Sequence, residues 1–176
     1  GFIISPYTRR SIVSFQAVND RLASLKIKVP GGTLTVISAY APHSGHPFAL
    51  RHDFFAGLSL LVKPSTNHSV TIALGDFNAK LGRVMDEEGD IIGPYVFPCE
   101  SSAGDNVMSN RALLLECCVA KGLLLANTFF DVPNESKVSY RNLSTKPLDD
   151  IKDANFSQID HVLCPRGFVD QLRQCW

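Results

Sequence analysis

Apolar and polar residues alternate through the first third of the chain. Ala23, Leu25, Ile27 and Val29 interleave with Ser24, Lys26 and Lys28, the two-residue period of a half-covered strand. Pro30-Gly31-Gly32 is a turn signal, and Thr33 to Tyr40 is rich in Thr, Val, Ile and Tyr, with Leu34, Val36 and Tyr40 on one face. These runs predict a β-hairpin, and Ser11 to Val18 predicts an earlier strand. A loop with Pro42, Gly45 and Pro47 follows. Phe54, Phe55, Leu58, Leu61 and Val62 then recur at helical spacing, and Pro64 stops that helix.

Val70 to Leu74 is a short apolar run suited to a buried strand, and it ends in Gly75-Asp76. Residues 82–109, rich in Gly, Pro and acidic side chains, read as a long surface loop. A helix follows, with Ser109 or Asn110 as cap, Leu113, Leu114, Cys117 and Cys118 as apolar face and Gly122 as stop. Leu123 to Phe130 predicts a strand and Val138 to Arg141 a short one. The polar stretch from Ser144 to Asn155 leads into a last strand, Ser157 to Leu163. Strands come in groups rather than in strict βαβ alternation. The pattern implies an α/β sandwich with mixed or antiparallel sheets.

Composition bounds what such a sandwich can do. At 176 residues and 45% hydrophobic, the chain has the size and core content of one domain. No apolar run approaches the roughly 18 residues of a membrane span, so no membrane partner is expected. The start, Gly1-Phe2-Ile3-Ile4-Ser5-Pro6, has neither a Met nor a signal pattern, and it reads as an internal boundary. Seventeen basic and seventeen acidic residues cancel, so net charge gives no support for a nucleic-acid partner. A local basic patch involving Arg9-Arg10 or Lys26 with Lys28 is the remaining source, and solvated strand faces explain those four as well. Five cysteines, an odd number without zinc spacing, read as free thiols of a reducing, intracellular compartment, nuclear or cytoplasmic.

The chemistry concentrates at Gly75-Asp76-Phe77-Asn78. Residues two apart share a side of an extended segment, so one carboxylate and one amide point into the same space at a strand end. Such a pair can activate water, touch a phosphate oxygen or join a hard-metal site. An Asx-rich turn uses the same residues with no function at all.

Gly75-Asp76-Phe77-Asn78-Ala79 resembles the Gly-Asp-x-Asn motif of the endonuclease/exonuclease/phosphatase superfamily, which has the DNase I-like fold. Ser38-Ala39-Tyr40-Ala41-Pro42 resembles its Tyr-x-Pro strand end, and Gln158-Ile159-Asp160-His161-Val162-Leu163 its Ile-Asp-x-Val-Leu strand. Asn110 to Phe130 resembles its Asn-x-x-x-Leu-Leu helix and the strand after it. The four blocks stand in family order over nearly the whole chain. The subgroup they are most similar to is the endonuclease domains of LINE-type retrotransposons and their host-encoded relatives.

The resemblance implies a four-layer α/β/β/α sandwich, with residues 1–176 as a single partial domain truncated at both ends. It implies Mg²⁺, with Mn²⁺ as an alternative, and DNA as substrate, within a longer polyprotein that includes reverse transcriptase. A phosphatase or lipid phosphodiesterase of the same fold, and a non-catalytic binding remnant, are the competing expectations. By resemblance Asp76 orients or deprotonates the attacking water. Asn78 contacts the scissile phosphate and helps hold that aspartate or the metal. Tyr40 lies near the phosphate, and Asp160 orients a catalytic histidine. His43, Asn110 and Ser139 are expected on the substrate side, with Ser139-Tyr140 replacing a Thr-Trp. His161 is expected to face away from Asp160 as a structural residue. The metal-binding glutamate is expected before Gly1 and the Ser-Asp-His histidine after Trp176, so residues 1–176 alone are expected to be nearly inactive.

Overall fold

The hairpin forms with its register set by a two-residue turn at Pro30-Gly31. The computed structural model describes residues 1–82, 84–98, 108–141 and 156–172. After a single helical turn, α1 (Pro6–Arg9), come strands β1 (Ile12–Ala17), β2 (Leu22–Val29) and β3 (Gly32–Tyr40). Val29 pairs with Gly32 and Leu22 with Ala39. Helix α2 (Phe48–Leu61) then crosses back, so that β4 (Ser69–Asp76) lies parallel to β3. A parallel neighbour requires such a crossover.

Two later strands complete the sheet, β5 (Leu123–Leu125) and β8 (Asp160–Pro165), in the order β1-β2-β3-β4-β8-β5. All its ladders except β3–β4 are antiparallel. This is a mixed α/β fold on a six-stranded mixed sheet. Among the described residues the second sheet has two short strands, β6 (Tyr140–Arg141) and β7 (Phe156–Ser157). Helix α4 (Asn134–Lys137) precedes it.

Leu34, Val36 and Tyr40 share a face of β3, as the alternation predicts, but the main core lies on the opposite face. There Leu22, Ile37, Ala39, Ala73 and Leu163 pack under α2 and α3 (Asn110–Lys121), against Phe54, Phe55, Leu58, Leu113, Leu114 and Cys118. Ser109 caps α3 by accepting from Ala112 N at 3.1 Å, and Gly122 ends it in the left-handed conformation at φ 62°. The far face carries a smaller cluster of Leu124, Ala126 and Cys164, joined by Ile72, Val162 and Phe168. Cys117, Cys118 and Cys164 are buried. Burial pushes the Cys117 thiol up to about 11, so it stays protonated and inert. No helix among the described residues is long and apolar enough to cross a membrane.

Three expected elements differ. The strand expected over Leu123 to Phe130 stops at Leu125, because Ala126–Thr128 wind into a 3₁₀ turn in which the Thr128 hydroxyl donates to Leu125 O at 2.7 Å. The strand expected over Ser157 to Leu163 is split. Phe156–Ser157 pairs with β6, and the chain joins the main sheet only at Asp160. The loop expected over 82–109 is not purely a surface element, since Ile91, Ile92 and Phe97 are buried. Its anchor is an ion pair of low exposure. Arg111 donates to both Glu88 oxygens, at 2.6 and 2.5 Å, and its Nε donates to Leu81 O at 2.8 Å. The polar stretch from Ser144 to Asn155, together with Cys99 and Cys175, lies outside the described residues.

Candidate active site

The ladders gather side chains at one end of the sheet. Tyr40 pairs with Asp76 across β3–β4, and Asp76 pairs with Asp160 across β4–β8. Directly opposed residues point the same way, so the phenol and the two carboxylates form a row on the face away from α2 and α3. Gly75 permits this. Its φ is 140°, and a Cβ there would run into the Ala39 carbonyl, so the motif's glycine lets β4 approach β3 at the residue before Asp76.

Asn78 turns the chain out of the row. It adopts φ 49°, unusual for a side-chain-bearing residue and most tolerable for Asn. Asp76 Oδ1 accepts from Asn78 N at 2.7 Å, an Asx turn, and Asn78 Nδ2 donates to Ala41 O at 2.8 Å. The Asx turn and the candidate site are therefore the same structure. The amide's nitrogen is committed to the scaffold.

Partial burial raises the Asp76 pKa above the ordinary carboxylate value. The Asn78 N–H opposes that shift and the Asp160 charge adds to it. Asp76 is half-buried beside the exposed Asp160, and a like-charged neighbour at a carboxylate favours a nearby cation. Among the described residues no group of three His, Cys, Asp or Glu side chains surrounds a metal position. The donors present are all oxygen: Asp76, Asp160 and the Asn78 amide. Two carboxylates and an amide oxygen, with water completing the shell, fit a Mg²⁺-type ion rather than zinc.

Ser139 sits beneath this row. Its Oγ accepts from Ile159 N at 3.0 Å and from Asp160 N at 3.1 Å, so it fixes the backbone that presents Asp160. Asn110 packs against the motif turn. It is buried, and its Nδ2 donates to Pro42 O at 2.8 Å and to Phe77 O and Asn78 O at 3.3 Å. It ties the strand-end loop after Tyr40 to the motif turn. His43 lies exposed on that loop, its Nδ1 accepting from Gly45 N at 3.0 Å and its ring 4.2 Å from that of His46.

His161 faces the core, opposite Asp160. Its Nε2 donates to Ala79 O at 2.8 Å, its Nδ1 has no hydrogen-bond partner among the described residues, and burial lowers its pKa to about 4. It is a neutral structural histidine.

Three neighbours of the row carry no signal of that place in the motifs. Asn127 accepts from Val162 N at 3.1 Å and so extends the β8 edge with a side chain. Lys137 is buried, with its ammonium 5.9 Å from the Tyr95 ring centre. Both line a cleft of about 260 Å³ that also includes Ser139 and Asp160. No pattern announces either residue. Arg21 is the third. Its guanidinium carbon lies 5.4 Å from the centre of the Tyr40 ring. The hairpin register was a usable signal here, because a two-residue turn that pairs Val29 with Gly32 also brings Arg21 opposite Tyr40.

No protein-family model matches the chain. It is similar to craniofacial development protein 2 of Bos taurus, 27% identical over 92% of the chain and 24% of that protein. Craniofacial development protein 2 of Tragulus javanicus matches at 26% over 92% of the chain and 25% of that protein. The chain thus spans about a quarter of the curated relatives it matches. Among solved structures, an endonuclease/exonuclease/phosphatase family protein from Leptotrichia buccalis aligns with a TM-score of 0.45 and 14% identity, over 81% of this chain and 40% of that one.

Proposed function

We propose that the row Tyr40–Asp76–Asp160, with Asn78, is the phosphate end of a metal-dependent phosphodiesterase site, and that its substrate is DNA, cut by an endonuclease of retrotransposon type. The observation that carries this reading is the convergence of three separated motifs on one sheet end. Tyr40, Asp76 and Asp160 come from three different strands, yet they fall in register with one another. A chance Asx turn has no reason to place a phenol and a second carboxylate beside it.

The chemistry follows from the groups. Asp76, with its pKa raised by burial and by Asp160, is suited to accept a proton from a water positioned against a phosphate. The Asn78 amide oxygen orients that water or holds the hydration shell of a cation. The Tyr40 hydroxyl can donate to a phosphate oxygen as charge develops there. A divalent ion held by Asp76, Asp160 and Asn78 would supply Lewis-acid neutralisation of the phosphate.

The test is Mg²⁺-dependent nicking of supercoiled plasmid by the full-length natural gene product and by residues 1–176, each beside its Asp76→Ala form. Nicking that the substitution abolishes is the expected result for the full-length product. A full-length product that leaves plasmid intact but hydrolyses small phosphoesters would move the assignment to a phosphatase or lipid phosphodiesterase. One that does neither would leave a binding domain.

A further inference from the structure

The row of strand-end residues does not stop at Tyr40. Tyr40 N donates to Arg21 O at 3.0 Å, which continues the ladder by one strand and places Arg21 at the row's outer end. The turn before it is fixed by Asn19, whose Oδ1 accepts from Arg21 N at 2.9 Å and from Leu22 N at 2.8 Å. The guanidinium then lies over the Tyr40 ring, with Nη1 3.4 Å from Tyr40 O. Among the described residues its carboxylate neighbour is Asp20, 3.9 Å away, with side chains 22% exposed for Arg21 and 84% for Asp20. A pair at that distance with one partner in open solvent is weak, so Asp20 does not hold the guanidinium against a ligand.

We propose that Arg21, held on the Tyr40 ring, binds the phosphate next to the one at Asp76, and that this second contact selects polymeric phosphodiesters over phosphomonoesters. The inference rests on the phosphoester reading of the Asp76 row and extends it to substrate class. Arg21 stands two strand spacings from Asp76, roughly 10 Å at about 4.8 Å each. A single phosphoryl group cannot span that gap, whereas neighbouring phosphates of one strand can. Between them lies the half-exposed Tyr40 ring, a face on which a base can stack. An arginine already stacked has less side-chain freedom left to lose when it grips phosphate. The His43 and His46 rings, tilted at 41° with centres 4.2 Å apart, lie on the same loop.

Binding, rather than cleavage, tests this directly. Residues 1–176 are titrated into a labelled single-stranded oligonucleotide with non-hydrolysable linkages and into a labelled mononucleotide, by fluorescence anisotropy over a range of salt. Arg21→Gln should weaken the oligonucleotide about tenfold, in line with loss of one charge-assisted contact. It should lower the slope of log affinity against log salt by about 0.7, and leave the mononucleotide unchanged. Arg21→Lys should restore the slope but only part of the affinity. Lys63→Gln, beyond the opposite end of α2, removes one charge elsewhere and should change neither. Unaltered oligonucleotide binding by Arg21→Gln, or equal weakening of both ligands, overturns the Arg21 assignment and leaves the nuclease reading standing. A wild-type protein that binds neither ligand removes the nuclease reading beneath it.

Discussion

Replacing Arg111 with Met removes the ion pair that pins the acidic loop to α3, together with the Arg111 Nε–Leu81 O hydrogen bond. The wild-type pair is bidentate, at 2.6 and 2.5 Å, with side chains 5% and 16% exposed. Burial works against the Glu88 charge. The Arg111 hydrogen bonds, the Met85 N–H and the Arg111 charge outweigh it and hold the carboxyl below its ordinary value. Methionine fills most of the arginine's stem volume but strands Glu88. Breaking a buried pair costs about 3–5 kcal/mol. Because some water reaches Glu88, about 2–4 kcal/mol is expected here. For a chain of this size that corresponds to a Tm lowered by roughly 5–15 °C.

Urea unfolding at several pH values is the assay. A carboxyl with a lowered folded pKa contributes stability above its unfolded pKa, about 4.3, and loses it as pH falls through the folded value. The gap between wild type and Arg111→Met should therefore be full at pH 7 and narrow below about pH 4. The double substitution Arg111→Met with Glu88→Leu should recover most of the loss, since it removes the stranded charge. A gap under about 0.5 kcal/mol at pH 7, or one that stays constant down to pH 3.5, would refute the reasoning.

Three further predictions concern the site and its support. Asp160→Asn should lower the Asp76 pKa, because it removes a neighbouring negative charge; NMR titration of the Asp76 carboxyl reads this directly. Gly75→Ala should destabilise the chain by more than about 1 kcal/mol and abolish any nicking, since the new Cβ meets the Ala39 carbonyl at φ 140°, checked by urea unfolding and the plasmid assay. His161 carries a folded pKa of about 4 against 6.5, so the unfolded chain binds the extra proton between those values. Stability should be full above pH 6.5 and decline toward pH 4, and His161→Gln should flatten that part of the urea-midpoint profile.

Much of the scaffold was legible because its signals are local. The hairpin rests on alternation and a two-residue turn, and α3 on a serine cap and a glycine stop. The strand ends at Leu125 and Ser157 were not legible, because a Thr128 hydroxyl and a partner strand remote in sequence decide them. At the site, Asp76 and Asn78 were visible as a motif, but their pairing with Tyr40 and Asp160 needed resemblance to suggest and the ladders to display. Asn110 shows what a motif leaves open. The resemblance suggested a substrate-side role, and the structure shows its amide holding two loops together. Whether an asparagine reaches ligand or backbone depends on a rotation that no spacing encodes.

The β4–β8 ladder also bears on how the protein matures. The hairpin and the β3–α2–β4 unit close over short stretches of chain. The contact that brings His161 to Ala79, and with it Asp160 to Asp76, joins residues 82 positions apart. Such closures are slow, because the loop's entropy is lost before the contact forms. A nascent chain would therefore present Arg21, Tyr40 and Asp76 before Asp160 arrives. Any chemistry that needs Asp76 and Asp160 together therefore waits for this long-range closure.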